Sequence, residues 1–285
     1  MKTADPHDEY RDRQRRLWAV GAEAWMRWWP SFEAGARELS ASIVRAARVE
    51  PGMRVLDLCT GLGEPALRVA RAVGPQGNVV GADLSRQMLE FARARAREAQ
   101  LANLRFAETE GEHLAFAAGS FDAATFRWGP MLMDDPVACL REVRRVLKPG
   151  ARLGVSVWCT GQDVPFIALA GAVAEEVGGV PKPPPGTPGP LRMGRAGELE
   201  EALAAAGFRD VCCEAVEVRM QYASAAVYVD FTREVSTTLR RTLEDRTPEV
   251  REAVWKELGL RTAKYADSSG RVRFDNRAWC AGARA

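Results

Sequence analysis

Asp57, Gly61, Gly63, Asp83 and Glu110 are the residues whose types and spacing could do chemistry. In the run RVLDLCTGLGEPALRVARAV, Arg54 to Val73, a short apolar stretch ends near Asp57, a glycine-bearing turn follows, and a helix opens at Pro65. Glycines let backbone approach a ligand closely, and a helix start offers N–H groups that its own turns do not use. Strand, turn and helix in this order are therefore suited to hold a nucleotide. Proline fits the first helical turn, which needs no N–H from it. Asp83 stands twenty positions after Gly63, at the end of the next strand, NVVGAD. A carboxylate there can accept both hydroxyls of a ribose, and a hydrogen bond to a charged acceptor is worth roughly 1.5–3 kcal/mol. The third strand is followed by ETEGEHLAF, which puts Glu110 at its tip. Three carboxylates then line the carboxyl edge of three adjacent strands, where open α/β sheets bind ligands.

Positioning these residues requires an alternating scaffold. The spacing predicts strands over 54–58, 78–83, 104–108, 123–127 and 152–158, with helices from near Pro65, Ser85, Pro136 and Glu198. Alternation of this kind makes a parallel sheet covered on both faces. Lys148-Pro149-Gly150 stops one helix just before the next strand. Ahead of the scaffold, RRLWAVGAEAWMRWWPSF and EAGARELSASIVRAARV carry helical periodicity, and Pro30 is expected to break them. Behind it, VPKPPPGTPGP is too proline-rich for helix or strand and reads as a connector or lid edge. A helix over 198–206, an alternating strand over 211–220, helices over 225–243 and 248–260, and a last strand near 272–280 complete the expectation. Four parts follow: a helical cap over 1–48, a core over 49–160, a connector or lid over 161–197, and the rest of the sheet with inserted cap helices over 198–285.

Composition narrows the partners. The chain has 285 residues, is 47% apolar and carries a formal net charge of +2, with only five lysines among forty basic residues. Its arginines are dispersed on helices among acids, which is not a nucleic-acid footprint. Six scattered cysteines show neither paired spacing nor a C-x-x-C, so no disulfide framework and no metal site is expected. A charged N-terminus without an apolar core and the lack of an eighteen-residue apolar run point to a cytoplasmic protein with no membrane span.

At these residues the chain resembles the class I S-adenosylmethionine-dependent methyltransferases, in the methyltransferase-11 group that includes ubiquinone and menaquinone methyltransferases. The match runs through VLDLCTGLGEPAL, VVGADLSRQMLEFAR, EGEHLAF, GSFDAATFRWG and LREVRRVLKPGARL, from Val49 to about Trp158. Cys59 and Thr60 stand at the first positions of the glycine run. The resemblance implies a Rossmann-like three-layer sandwich with a mostly parallel seven-stranded sheet, an antiparallel C-terminal strand, and helical additions forming a lid. It implies S-adenosylmethionine as cofactor. Asp57 and the backbone of Gly61 and Gly63 would hold its methionine end and Asp83 its ribose. Glu110, Gly111 and Glu112 would meet the adenine, with Leu84 and Met88 packed on the ring and Arg127 beside the sulfonium. Trp25, Trp29, Trp128, Met131 and Trp158 would line the acceptor side. A small-molecule acceptor is implied, and a homodimer is one expected assembly.

The letters also spell G-x-G-x-x-A, a nicotinamide fingerprint, but no Tyr-x-x-x-Lys pair follows and Glu110 stays unexplained. Methyl transfer asks little of side chains, because holding nucleophile and methyl in line can supply roughly 7–11 kcal/mol of the barrier. Of the two histidines, His7 lies at the chain end and His113 follows the Glu110 turn, so no general base is identified. The tryptophans suit an apolar or aromatic acceptor; methylation on oxygen, or else on carbon or nitrogen, in secondary metabolism is the expectation. Ring-carbon methylation of a quinone, a binding protein without transfer activity, and other chemistry at the sulfonium are the alternatives.

Overall fold

A computed structural model describes residues 6–285, with side chains from Glu9 onward. Its strands β1 (Arg54–Leu58), β2 (Asn78–Asp83), β3 (Leu104–Glu108), β4 (Phe121–Arg127), β5 (Leu147–Trp158), β6 (Arg209–Tyr222) and β7 (Val272–Arg284) form one seven-stranded sheet. The order is β3-β2-β1-β4-β5-β7-β6, parallel except that β7 runs antiparallel to both of its neighbours. The expected Rossmann-like sheet with an antiparallel final strand is therefore present. Buried strands such as β1 and β4 read as apolar runs because helices cover both faces.

Helices α2 (Ala66–Val73), α3 (Arg86–Glu98), α4 (Pro136–Val146), α5 (Pro165–Glu176) and α6 (Glu198–Ala205) follow successive strands or their connections. Ser85 caps α3 by accepting the Met88 N–H, and Asp135 caps α4 by accepting the Ala138 N–H. Late helices α7 (Ala225–Val235), α8 (Thr237–Glu244) and α9 (Pro248–Thr262) lie between β6 and β7.

Pro30 does not break the N-terminal segment: α1 is one helix from Pro6 to Ala46 with the proline inside it. An interior proline costs about 3 kcal/mol. Against that, Trp29, Phe32, Leu39 and Ile43 are buried on one face, and each such side chain contributes roughly 1.5–3 kcal/mol. Close approach is built in by glycines. A Cβ on Gly154 of β5 would strike the Ile43 carbonyl, and one on Gly35 would meet the Arg219 carbonyl of β6 at 2.5 Å.

The remaining departures have local causes. The helix expected over 225–243 is split at Ser236, whose ψ of 74° leaves the helical region and ends α7. Helix α5 lies inside the expected connector; it was missed because Ala168, Gly171 and Ala172 dilute the apolar periodicity of PFIALAGAVAEE. Strands β6 and β7 run longer than expected because they pair with each other over almost their whole length, from Cys212–Gly282 to Tyr222–Val272.

Candidate active site

Asp57, the fourth residue of β1, is fully buried beneath the glycine turn. Its Oδ2 accepts the Ala66 N–H at 3.0 Å and its Oδ1 accepts the Thr125 hydroxyl at 2.6 Å. The acid thereby caps α2 from a neighbouring strand and ties β1 to β4, so it holds the turn in place. Burial pushes its pKa up to about 7. Gly61 and Gly63 have φ of 52° and 98°, in the region that favours glycine, and the space where a Gly61 side chain would stand is open.

Asp83 ends β2 with Oδ2 accepting the Gly61 N–H at 2.8 Å and Oδ1 accepting the Ser85 N–H at 2.9 Å. Burial raises its pKa. This carboxylate therefore stands at the strand tip and against the turn, beside the half-buried Leu84, with Met88 buried on α3 below. Glu110, two residues past β3, is gripped by α1: Arg15 Nη2 reaches one oxygen at 2.9 Å and Arg11 Nε the other at 3.1 Å. Gly111 lies against Cys139 and Met133, where a Cβ would come within 2.9 Å of the Cys139 sulfur. Glu112 accepts the Asp134 N–H at 3.2 Å. The three acids thus share the carboxyl edge of β3-β2-β1, as their spacing requires.

Tyr10 donates its hydroxyl to the Leu132 carbonyl at 2.7 Å, in the 3-10 turn Pro130–Leu132 that follows β4. From the connector, Arg192 donates to the Met133 carbonyl at 2.6 Å and the Gly189 N–H to the Met131 carbonyl at 3.0 Å. Both caps converge on the segment after β4. His113 is exposed in a surface depression of about 550 Å³ that it lines with Glu112, Arg141 and Glu142. The His7 side chain lies outside the described residues.

Arg127 ends β4 with its side chain 5% exposed. Its Nη1 donates to Glu33 at 2.7 Å and to Ser40 at 2.7 Å, both on α1. The guanidinium lies over the rings of Trp29 and Trp128, at 5.4 and 5.2 Å from their centroids. Arg95 of α3 lies over Trp29 as well, pairs with Glu64 at 3.4 Å and donates to the Leu62 carbonyl of the turn. A hollow of about 340 Å³ opens beside this group, lined by Met26, Trp29, Pro30, Glu33, Arg37 and Arg95.

Trp128 stacks on Trp158 at 4.2 Å, and Phe32 meets Trp128 edge-on at 5.3 Å. Trp25 stands edge-on to Phe32 and Phe231. Phe166, at the start of α5, ties Trp158 to Tyr222, Tyr228 and Phe231. Met131 is buried beside them in the same core. Sequence reasoning named Trp25, Trp29, Trp128, Met131 and Trp158 but missed Phe32, Phe166, Tyr222, Tyr228 and Phe231. Phe32 was within reach, since it continues the spacing of Trp25 and Trp29; the others come from elements whose adjacency only the sheet order creates.

The set fits S-adenosylmethionine. Asp83 stands at the tip of β2 against the turn and Glu110 beyond the tip of β3, the turn leaves open space at Gly61, and the indole N–H groups of Trp29 and Trp128 are buried without a partner. Among the described residues, no cluster of three or more His, Cys, Asp or Glu could hold a metal, and no helix is long and apolar enough to cross a membrane.

Residues 35–165 match the model of the ubiE/COQ5 methyltransferase family. A demethylmenaquinone methyltransferase of Lactococcus lactis subsp. lactis (strain IL1403) is 40% identical over 102 residues, 36% of this chain and 40% of that protein. The chain thus spans about two fifths of the length of that curated relative. The solved structure of the (4+2)-cyclase SpnF is 25% identical, covers 87% of this chain and 80% of that one, and has a TM-score of 0.55. Haemonchus contortus phosphoethanolamine N-methyltransferase 2, solved with phosphomonomethylethanolamine and S-adenosylhomocysteine, is similar in fold: 17% identity, all of this chain, 61% of that one, TM-score 0.59. The match over residues 35–165 and the fold make the core similar to the ubiE/COQ5 methyltransferases and to the solved methyltransferase structures.

Proposed function

We propose that this methyltransferase core transfers the methyl group of S-adenosylmethionine to an aromatic small molecule, with oxygen as the receiving atom. The observation that carries the reading is the meeting, at one sheet edge, of the acids Asp83 and Glu110 with the stacked Trp128–Trp158 pair at 4.2 Å. When bound, the cofactor supplies an already activated methyl group. Asp83 would hold the ribose, Gly61 and Gly63 would let the backbone approach the methionine end, and Glu110 with Gly111 would meet the adenine. Asp57 acts one step back, holding the turn through Ala66 and Thr125. The rings orient a flat acceptor and keep water away, which is positioning rather than acid–base work.

Methylation of a ring carbon is a second reading, supported by the demethylmenaquinone relative. A role in secondary metabolism, a cytoplasmic location and a homodimer belong to the same proposal. Titration calorimetry with S-adenosylmethionine, S-adenosylhomocysteine and NAD tests the cofactor assignment: the first two should bind and NAD should not. Asp83→Ala should weaken S-adenosylhomocysteine by about ten- to a hundredfold, the equivalent of roughly 1.5–3 kcal/mol. Unchanged affinity would remove Asp83 from the ribose.

A further inference from the structure

The peptide between the two glycines of the turn is held by a side chain from another helix. Leu62 stands between Gly61 and Gly63, whose φ of 52° and 98° lie in the region that favours glycine. Glycines have the widest choice of backbone conformations, so a turn built from them needs outside anchors to keep one shape. Three anchors act on its N–H groups: Thr60 donates to the Ala82 carbonyl at 3.0 Å, Gly63 to the Thr60 carbonyl at 2.8 Å, and Gly61 to Asp83 at 2.8 Å. The Leu62 carbonyl takes no backbone N–H among the described residues. Its donor is the Arg95 guanidinium of α3.

Helix α3 is shaped for this contact. Ala92, buried one turn before Arg95, leaves room for the turn: a Cβ on Gly63 would stand 3.4 Å from the Ala92 Cβ. The Arg95 side chain is 17% exposed and also meets Glu64, whose side chain is 10% exposed, at 3.4 Å. Burial raises the Glu64 pKa and Glu33 of α1 adds to it, while Arg127 of β4, Arg95 and Arg68 of α2 oppose them. Glu64 thus faces three arginines, whereas the Leu62 carbonyl depends on one. The same guanidinium reaches α1: its carbon lies 5.0 Å from the centroid of Trp29, and that of Arg127 lies 5.4 Å from the same ring. The Trp29 indole N–H is buried without a partner among the described residues, so cations and Phe32 place this ring instead of a directed bond.

We propose that Arg95 is a positioning residue for methyl transfer: its bond to the Leu62 carbonyl keeps the turn between Gly61 and Gly63 in the conformation that receives S-adenosylmethionine, and its contact with Trp29 ties that conformation to α1. This role rests on the methyl-transfer reading and adds to it a residue outside the strand tips and the turn itself. Arg95 acts through the backbone, not on the cofactor. Without it the turn spreads over several conformations, and affinity falls with the fraction that stays competent. Global stability does not enter, because a chain that is almost wholly folded binds with the affinity of its folded site.

The test is calorimetric titration of the full chain with S-adenosylhomocysteine, with tryptophan emission recorded at saturation. Arg95→Met, which keeps an apolar stem and loses every donor, should weaken binding about tenfold, as if about one molecule in ten kept the competent turn. Arg95→Lys reaches the carbonyl but cannot fork to Glu64 as well, and should lose about threefold. Glu64→Gln should stay within about twofold, because the carbonyl contact and the competent fraction survive. The emission change on binding that Trp29→Phe removes should also be missing in Arg95→Met. A purely structural role would lower the thermal midpoint of Arg95→Met and leave the affinity of the folded protein unchanged, and that result overturns the proposal. So does Glu64→Gln that loses as much as Arg95→Met, since the ion pair then does the holding, and so does Arg95→Met that keeps the Trp29 signal. If Arg95→Met does not fold, Arg95→Lys decides, and full affinity there overturns the proposal. Failure of the unaltered chain to bind S-adenosylhomocysteine is seen before any variant is compared and overturns the methyl-transfer reading itself.

Discussion

At the β3-β2-β1 end of the carboxyl edge, acids face backbone amides and arginines: Asp83 on Gly61 and Ser85, Glu110 on Arg11 and Arg15. At the β4-β5-β7 end, rings face rings around a single buried arginine. The first end is made of directed bonds at strand tips and suits a polar ligand. The second is made of contact area and suits a flat apolar one. Under the proposed function the difference separates two demands on the protein: hydrogen bonds would hold the cofactor, and packing that can be reshaped without touching the first end would hold the acceptor.

Breaking the aromatic end should cost most. Phe166→Ala removes the ring that joins Trp158 to Tyr222, Tyr228 and Phe231, and it should lower stability by about 3–5 kcal/mol in urea unfolding. S-adenosylhomocysteine affinity of the folded protein should hold. A cost below about 1 kcal/mol would mean the rings border open space and not a packed core.

The polar end should show itself in pH dependence. Asp57 titrates at about 7 in the folded protein against 3.8 for the free side chain. Below about 4 both states are protonated. Between about 4 and 7 the folded state keeps a proton that the unfolded state has lost, so stability falls as pH rises through that window, and it levels off above. Thermal midpoints between these limits should fall less steeply for Asp57→Asn than for the unaltered chain. Parallel curves would show that another group sets the slope.

The smallest effect is expected where α1 clasps Glu110. Arg15→Ala removes a half-exposed ion pair and should cost under about 1 kcal/mol, less still at high salt. Differential thermal midpoints at low and high salt measure it, and a salt-independent loss would assign the effect to packing of the arginine stem.

The same contrast explains what could be read from the residues alone. The strands of the core and the acids at strand tips follow local rules, because Asp57, Gly61, Gly63 and Asp83 sit at fixed offsets within one strand-turn-helix-strand unit. The ring walls draw on α1, β4, β5, α5, β6, α7 and β7. Their meeting depends on β7 inserting between β5 and β6, which no local spacing encodes. Pro30 misled for a related reason: its local penalty is real, but the face that overrides it packs on strands more than a hundred residues away. Arg127 was visible as a residue at a strand end, while its partner Glu33 was hidden in a helix face whose docking only the assembled sheet defines.

Helix α1 spans about 60 Å at 1.5 Å per residue and seats its later turns on β5, β6 and β7. The ribosome therefore delivers this helix before the strands that seat it. Until those strands emerge, its stripe of Trp29, Phe32, Leu39 and Ile43 has no sheet to lie on, and an isolated amphipathic helix is marginal in water. Seating of α1 thus waits on β7, which takes its place between β5 and β6.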